Sequence, residues 1–328
     1  MTTLVFGGAG FVGLNIVDRM LAKGRDVTLF DSRPPLASAA ARFATLRGRL
    51  RVVSGDVRSP DAIAEAFAVP PRFVIYGAAL TPGPARETAD PLAVVDVNLG
   101  GLVRVLEAAR AAGTRRVVNL SSAGAYGSLA FGSAVLDEES AADPVSLYAV
   151  TKFAGERVAT RLAELWGADF RSVRLSAVFG PWEHDSGARD ALSPPYRIAR
   201  MALAGGPIVL PRPVMRDWIY ARDVSDAVIA LLDAAEPRYP VYNVGPGGGW
   251  TLLDWGRRFA ALRPGLVVRL AEPGETPNVD SPSMQDRAFM SNRRLVDDLG
   301  FTPRYGLDAA FDDFAAWRDA HPDAWEGR

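Results

Sequence analysis

Six short runs rich in β-branched and aromatic residues punctuate the first 176 residues: Thr3 to Gly7, Asp26 to Asp31, Leu50 to Asp56, Phe73 to Ala78, Arg116 to Ser122 and Phe170 to Ser176. Segments with helical spacing separate them, at 11–23, 61–68, 91–112 and 148–166. The alternation predicts parallel strands joined by crossover helices, an α/β doubly wound sheet. Crossovers of this kind are nearly always right-handed, so the strands' carboxyl ends share one edge and a ligand is expected there. After Ser176 the regularity fades, with Pro181, Pro194, Pro195, Pro207, Pro211 and Pro213 around a helical segment near 192–204. A helix near 222–235 and a strand at Val241–Gly245 are expected to return to the main sheet. Thr251 with Asp254 forms a capping box for a helix reaching Leu262, and Leu307–Trp317 reads as a last amphipathic helix. The expected division is a dinucleotide-binding domain over 1–176, joined by 217–245, and a smaller discontinuous C-terminal substrate-binding lobe over 177–216 and 246–328.

Composition removes several classes of chemistry. The 328 residues, 48% apolar, can bury a core without covalent staples. Cysteine is absent, which excludes disulfides, thiolate metal sites and cysteine nucleophiles. The two histidines, His184 and His321, lie in separate contexts and argue against a histidine metal site or a Ser-His-Asp hydrolase. Redox chemistry therefore needs a bound cofactor. A net charge of -1 with no sustained basic run marks no nucleic-acid partner. The apolar N-terminus lacks a positive leader and carries glycines that suit a strand-loop-helix better than a signal peptide. No apolar stretch reaches the ~20 residues a membrane helix needs, so no membrane partner is expected and the cytoplasm is the expected location.

Gly7-Gly8-Ala9-Gly10-Phe11-Val12-Gly13 follows a strand and opens a helix. Gly7 permits a tight turn, Gly10 lets backbone approach a pyrophosphate, and Gly13 lets the helix pack close to the sheet. The next strand ends in Asp31, where a carboxylate can accept from the adenosine ribose hydroxyls and repel a 2'-phosphate. That pair favours NAD over NADP, although Arg33 two residues on leaves room for a phosphate. Asp56, in Gly55-Asp56-Val57, is either an adenine edge contact or an ordinary cap of the next helix.

Tyr148 and Lys152 stand at i and i+4, one helical turn apart. A phenol ionises near pH 10, and one cation at about 4 Å supplies roughly the 4 kcal/mol needed to make it a base near neutrality. Of 37 basic residues only Lys23 and Lys152 are lysines, so a lysine at this spacing is informative. Upstream, a strand ends in Ser121-Ser122: Ser122 is placed to hydrogen-bond the reacting oxygen and Ser121 to support the backbone. Asn98 either holds its helix's backbone or a water near Lys152, or is a structural amide.

These motifs together resemble the extended short-chain dehydrogenase/reductase family, the NAD-dependent epimerase/dehydratase group with a Rossmann sheet. The likeness rests on Gly7 to Gly13, Gly55-Asp56-Val57, Ser121 to Gly127, Tyr148 to Lys152, Arg174 to Pro181, Arg216 to Tyr220 and Leu299-Gly300-Phe301. It implies that Ser122 orients the alcohol, Tyr148 is the general base, and Lys152 tunes Tyr148 and binds the cofactor ribose. It extends the NAD contacts to Phe11, Val12, Val57, Gly77, Ala78, Ala79, Asn98, Ser121 and Val178. It places Thr81, Ser122, Gly124, Ser176, Arg189 and Arg216 toward the substrate, and implies a homodimer through helices 91–112 and 148–166.

The substrate end departs from the sugar-nucleotide pattern. Arg174-Leu175-Ser176-Ala177 lacks the asparagine usual there, and Leu210 to Met215 replaces a Gly-Asp-Gly stretch. Arg216 remains, suited to a phosphate or carboxylate. In the loop Trp182 to Asp190, Arg189 and His184 either read a small acid or are simply solvated. The leading expectation is NAD-dependent oxidation or epimerisation of a secondary hydroxyl on a sugar, sugar acid or polyol. A nucleotide-sugar 4-epimerase or dehydratase that retains its NAD is the competitor, and a non-catalytic dinucleotide sensor the alternative of another class.

Overall fold

A computed structural model describes residues 2–132, 134–279 and 285–325. Its centre is a parallel sheet of β1 (Thr2–Phe6), β2 (Asp26–Asp31), β3 (Leu50–Ser54), β4 (Phe73–Tyr76), β5 (Arg116–Ser122), β6 (Phe170–Leu175) and β7 (Val241–Val244). The spatial order is β3-β2-β1-β4-β5-β6-β7. The order reverses between β1 and β4, so their loops diverge and leave a crevice at the carboxyl edge. Strands β1 and β4 are buried on both faces because helices cover both sides.

One apolar layer joins Leu14, Val17 and Leu21 of the helix Phe11–Ala22 to Val224, Val228 and Leu231 of the helix Ala221–Asp233. The other joins Leu102, Leu106, Val57 and Ala159 beneath the opposite face. The first layer continues without a break into the C-terminal part, where Trp250, Trp255, Phe259 and Phe311 pack ring against ring. That part also contains small two-stranded pairings of Ile208–Leu210 with Val268–Leu270 and of Met215–Arg216 with Trp250–Thr251.

The capping box predicted at Thr251 is present: Thr251 accepts from the Asp254 amide at 3.1 Å, and the Asp254 carboxylate accepts in return. The continuous helix expected over 91–112 is instead Pro91–Val95, a π turn Asp96–Gly100 and Gly101–Ala111. Short helices at Ala37–Ala44, Pro84–Ala89 and Arg293–Leu299 lie outside the expected pattern. No helix among the described residues is long and apolar enough to cross a membrane.

Candidate active site

The carboxyl-edge crevice has a volume of about 580 Å³ and is lined by the glycine turn, Asp31, Asp56, Val57 and the segment Gly77–Leu80. Gly7 sits at φ 74°, and a Cβ on it would lie 2.6 Å from the Ala78 nitrogen. Only glycine lets the β1 and β4 loops touch there. Asp31 accepts from the Ala9 amide at 3.0 Å and the Arg33 amide at 3.2 Å. Burial raises its carboxyl above the ordinary carboxylate range, and these amides offset only part of that rise. Asp56 is held low by the Arg58 guanidinium, which grips both of its oxygens.

The loop after Pro181 crosses the crevice mouth. The Thr81 amide donates to the Ala188 carbonyl at 2.7 Å, the Asp190 amide to the Thr81 carbonyl at 3.2 Å, and Arg86 to the Gly187 carbonyl at 2.8 Å. Arg189 is anchored rather than freely solvated. Its guanidinium donates to Glu183 at 3.1 Å and lies 5.6 Å over the Phe11 ring. Glu183 is itself buried and accepts from the Ser193 amide and hydroxyl at 2.6 and 2.7 Å. His184 lines the crevice, with its Nδ1 2.9 Å from the Trp182 carbonyl.

Ser122 ends β5, while Tyr148 and Lys152 occupy the first two turns of the helix Leu147–Trp166, whose N-cap is Ser146. The Lys152 ammonium lies 5.8 Å from the Tyr148 ring centroid and donates to the Leu120 carbonyl at 2.8 Å. Burial pushes the Tyr148 phenol up, and the Ser122 hydroxyl, the Arg189 charge and the Thr81 hydroxyl oppose it. Burial lowers Lys152 itself to about 8, against the pull of Glu156.

Other expected residues lie one step behind the crevice. The Ser121 hydroxyl donates to Glu156. Asn98 accepts from the Leu80 amide at 2.8 Å and donates to the Leu80 carbonyl and the Thr151 hydroxyl, each at 3.0 Å. Its carboxamide thus ties the β4 loop, and with it Thr81, to the helix Leu147–Trp166. Ser176 donates to the Asp217 carbonyl, and Val178 pairs with Ile219. Phe11 is buried and Val12 packs against the core.

A second cavity of about 260 Å³ reaches from Gly124 to Arg212, Val214, Arg216 and Arg287. Among the described residues, Arg216 Nε, Arg287 Nε and Arg287 Nη2 are buried there without a hydrogen-bond partner. Val214 adopts φ 54°, an uncommon conformation for a β-branched residue, midway between Arg212 and Arg216.

The profile of the NAD dependent epimerase/dehydratase family matches residues 3–245. The chain belongs to this family. It is 29% identical over 313 residues to a UDP-glucose 4-epimerase of Mycolicibacterium smegmatis, an alignment spanning 94% of this chain and 95% of that protein. MoeE5, solved with UDP-glucuronic acid and NAD, superimposes with a TM-score of 0.77 at 27% identity, covering 98% of this chain and 99% of that one. The UDP-glucose 4-epimerase of Thermus thermophilus, solved with NAD, gives 0.75 at 27% identity, covering 96% and 99%.

Like other members, the chain is an NAD-dependent enzyme, and its crevice fits that coenzyme: the Gly7 approach leaves no room for a side chain, and Asp31 faces the cavity. Three residues of the two cavities' walls and supports escaped the sequence reading: Glu156, Glu183 and Arg287. Only Glu156 carried a local signal, four residues beyond Lys152 on the same helical face. For Asp31 we expect NADH to bind at least ~10-fold more tightly than NADPH, about 1.4 kcal/mol. Asp31→Ala should narrow the gap. Calorimetry decides, and equal affinities in the parent chain would remove Asp31 from the ribose role.

Proposed function

We propose that the chain epimerises a nucleoside-diphosphate sugar, oxidising one carbinol and reducing it again without releasing its coenzyme, rather than oxidising a free sugar or sugar acid. The second cavity carries this reading. Two guanidinium groups with unpartnered buried N–H atoms are costly, roughly 1–3 kcal/mol for each unsatisfied group, unless an anion meets them. Arg216 is lowered to about 10, by burial first and by the neighbouring Arg287 charge second. Such a pair suits a pyrophosphate far better than a neutral sugar. The cavity begins at Gly124, two residues from Ser122, so a pyrophosphate there leaves the attached sugar beside Tyr148.

When bound, NAD supplies the reversible hydride acceptor. Tyr148 removes the proton of the reacting hydroxyl, Ser122 and Thr81 hold that oxygen and the phenol in line, and Lys152 fixes the helix against β5. On the return step, as the ketone takes back the hydride held on the bound coenzyme, the same phenol returns the proton to its oxygen. Arg189, beside Tyr148, favours a sugar bearing a carboxylate. MoeE5, with its UDP-glucuronic acid, supports a hexuronic acid as that sugar.

The test incubates the purified protein, with no NAD added, with UDP-glucuronic acid and UDP-glucose and separates the epimers by chromatography. Expected is 4-epimer formation without net absorbance at 340 nm. For UDP-glucuronic acid the kcat/KM should be ~10-fold or more higher, a preference that Arg189→Ala should erase. Stoichiometric NADH production from free sugar acids, with no epimer from either nucleotide sugar, would overturn the reading.

The same reading includes a homodimer. Leu92, Val95, Val145 and Val150 are exposed on or beside the adjoining helices Pro91–Val95 and Leu147–Trp166, an apolar face suited to a second copy. Sedimentation should give twice 35.1 kDa, and Leu92→Asp with Val150→Asp should give the monomer.

A further inference from the structure

The face of the catalytic helix that carries Tyr148 and Lys152 continues one turn further to Glu156, which is 1% exposed. Its carboxylate is fully engaged. Oε1 accepts the Ser121 hydroxyl and Arg174 Nε at 3.1 Å; Oε2 accepts Arg174 Nε at 3.1 Å and Nη2 at 2.8 Å. Ser121 lies between the two β5 residues that serve the site: Leu120, whose carbonyl receives the Lys152 ammonium, and Ser122, whose hydroxyl opposes the rise that burial imposes on the Tyr148 phenol. One buried carboxylate therefore clamps the end of β5 to the helix at the level of the reacting groups.

We propose that Glu156 is a positioning residue for the reaction: it fixes Ser121, and through it Ser122, and its carboxylate is the counter-charge of the Lys152 ammonium, one helical turn away on the same face. This rests on the roles given above to Tyr148, Ser122 and Lys152. A buried ammonium bonded to a single carbonyl has little reason to stay charged, and burial indeed lowers it to about 8 while Glu156 pulls it up. Tyr148 and Glu156 share the Lys152 helix, Arg174 comes from β6, and Tyr126, from the turn 123–126, lies 4.7 Å under the Arg174 guanidinium. From β5 come the Leu120 carbonyl and the Ser121 hydroxyl, and Asn98 of the π turn engages Thr151 instead. Arg174 offsets part of the carboxylate's charge, so removing Glu156 alone leaves the buried Arg174 guanidinium without its carboxylate partner.

The chain has only two lysines, which makes the ammonium directly observable. Labelling with ε-13C-lysine gives two NMR signals, Lys152 assigned by its loss in Lys152→Arg, and Lys23, in its ion pair with Asp226, serving as the control. In the NAD-loaded protein the Lys152 signal should titrate near pH 8, and in Glu156→Gln at least about one unit lower. The alkaline limb of kcat should move by the same amount, which a merely structural role would not produce. Where Glu156→Gln fails to fold, two variants replace it. Glu156→Asp keeps the charge and should hold the midpoint near that of the parent, whereas Glu156→Gln with Arg174→Gln removes both charges and should still lower it. A Lys152 midpoint that stays put in the folded neutral variants overturns the proposal. The titration needs no substrate, so it stands even where neither nucleotide sugar is turned over.

Discussion

Tyr148→Phe is expected to cut turnover about 10³-fold, within the 10²- to 10⁴-fold span of general acid-base catalysis, and to leave the fold and NAD affinity intact. The reason is local. The phenol oxygen is the point at which the Ser122 and Thr81 hydroxyls and the Arg189 charge converge, whereas the ring is held by the helix and lies beside the Lys152 ammonium. Phenylalanine keeps the ring and removes only the oxygen. Ser122→Ala should cost less, on the order of 10²-fold, since Thr81 still reaches the phenol. The measurement is kcat on the nucleotide sugar alongside NADH calorimetry and a thermal melt. A Tyr148→Phe protein with undiminished turnover would return the chain to the class of dinucleotide sensors.

What could be read from the chain alone follows the range of the interactions involved. The glycine turn, Asp31 and the Tyr148–Lys152 spacing are local patterns, and the β-strands they sit on were placed within a residue or two. The π turn at Asp96–Gly100 was invisible, because the helical spacing of 91–111 runs on without interruption. Its cause is tertiary: Tyr76 donates to the Val97 carbonyl, and Asn98 reaches both Leu80 and Thr151. Extra residues in a helical turn at such a place redirect one side chain without ending the helix. Glu183 looked like part of a solvated charged loop; it is buried because Ser193, ten residues on, supplies an amide and a hydroxyl. Arg287 is one arginine among thirty-five in the sequence, 37 basic residues less two lysines. Only the folded chain sets it beside Arg216, 71 positions earlier, and shows N–H groups left without a partner.

Gly10→Ala and Gly13→Ala should fail in different ways, although both sit in one seven-residue turn. A Cβ on Gly13 would lie 2.1 Å from the Gly7 carbonyl oxygen and 2.8 Å from the Gly8 Cα, both backbone atoms that cannot swing aside. The helix Phe11–Ala22 must then back away from β1, and overpacking of this kind costs about 3 kcal/mol. That loss appears in a melt of the coenzyme-free protein. At Gly10 the added methyl would meet only the Gly7 oxygen, at 3.4 Å, ordinary contact, and the backbone there is extended with φ -76°. Its stability should change by less than about 0.5 kcal/mol. Yet Gly10 lines the crevice at the helix N-terminus, where backbone must come within hydrogen-bonding range of the pyrophosphate, so NAD affinity should fall ~100-fold, about 2.7 kcal/mol. Urea melts and NADH calorimetry on the two variants separate the roles. A Gly10→Ala protein that binds NADH normally would mean that the coenzyme's phosphates lie elsewhere, and a Gly13→Ala protein as stable as the parent would mean that the helix does not approach the turn as closely as this geometry requires.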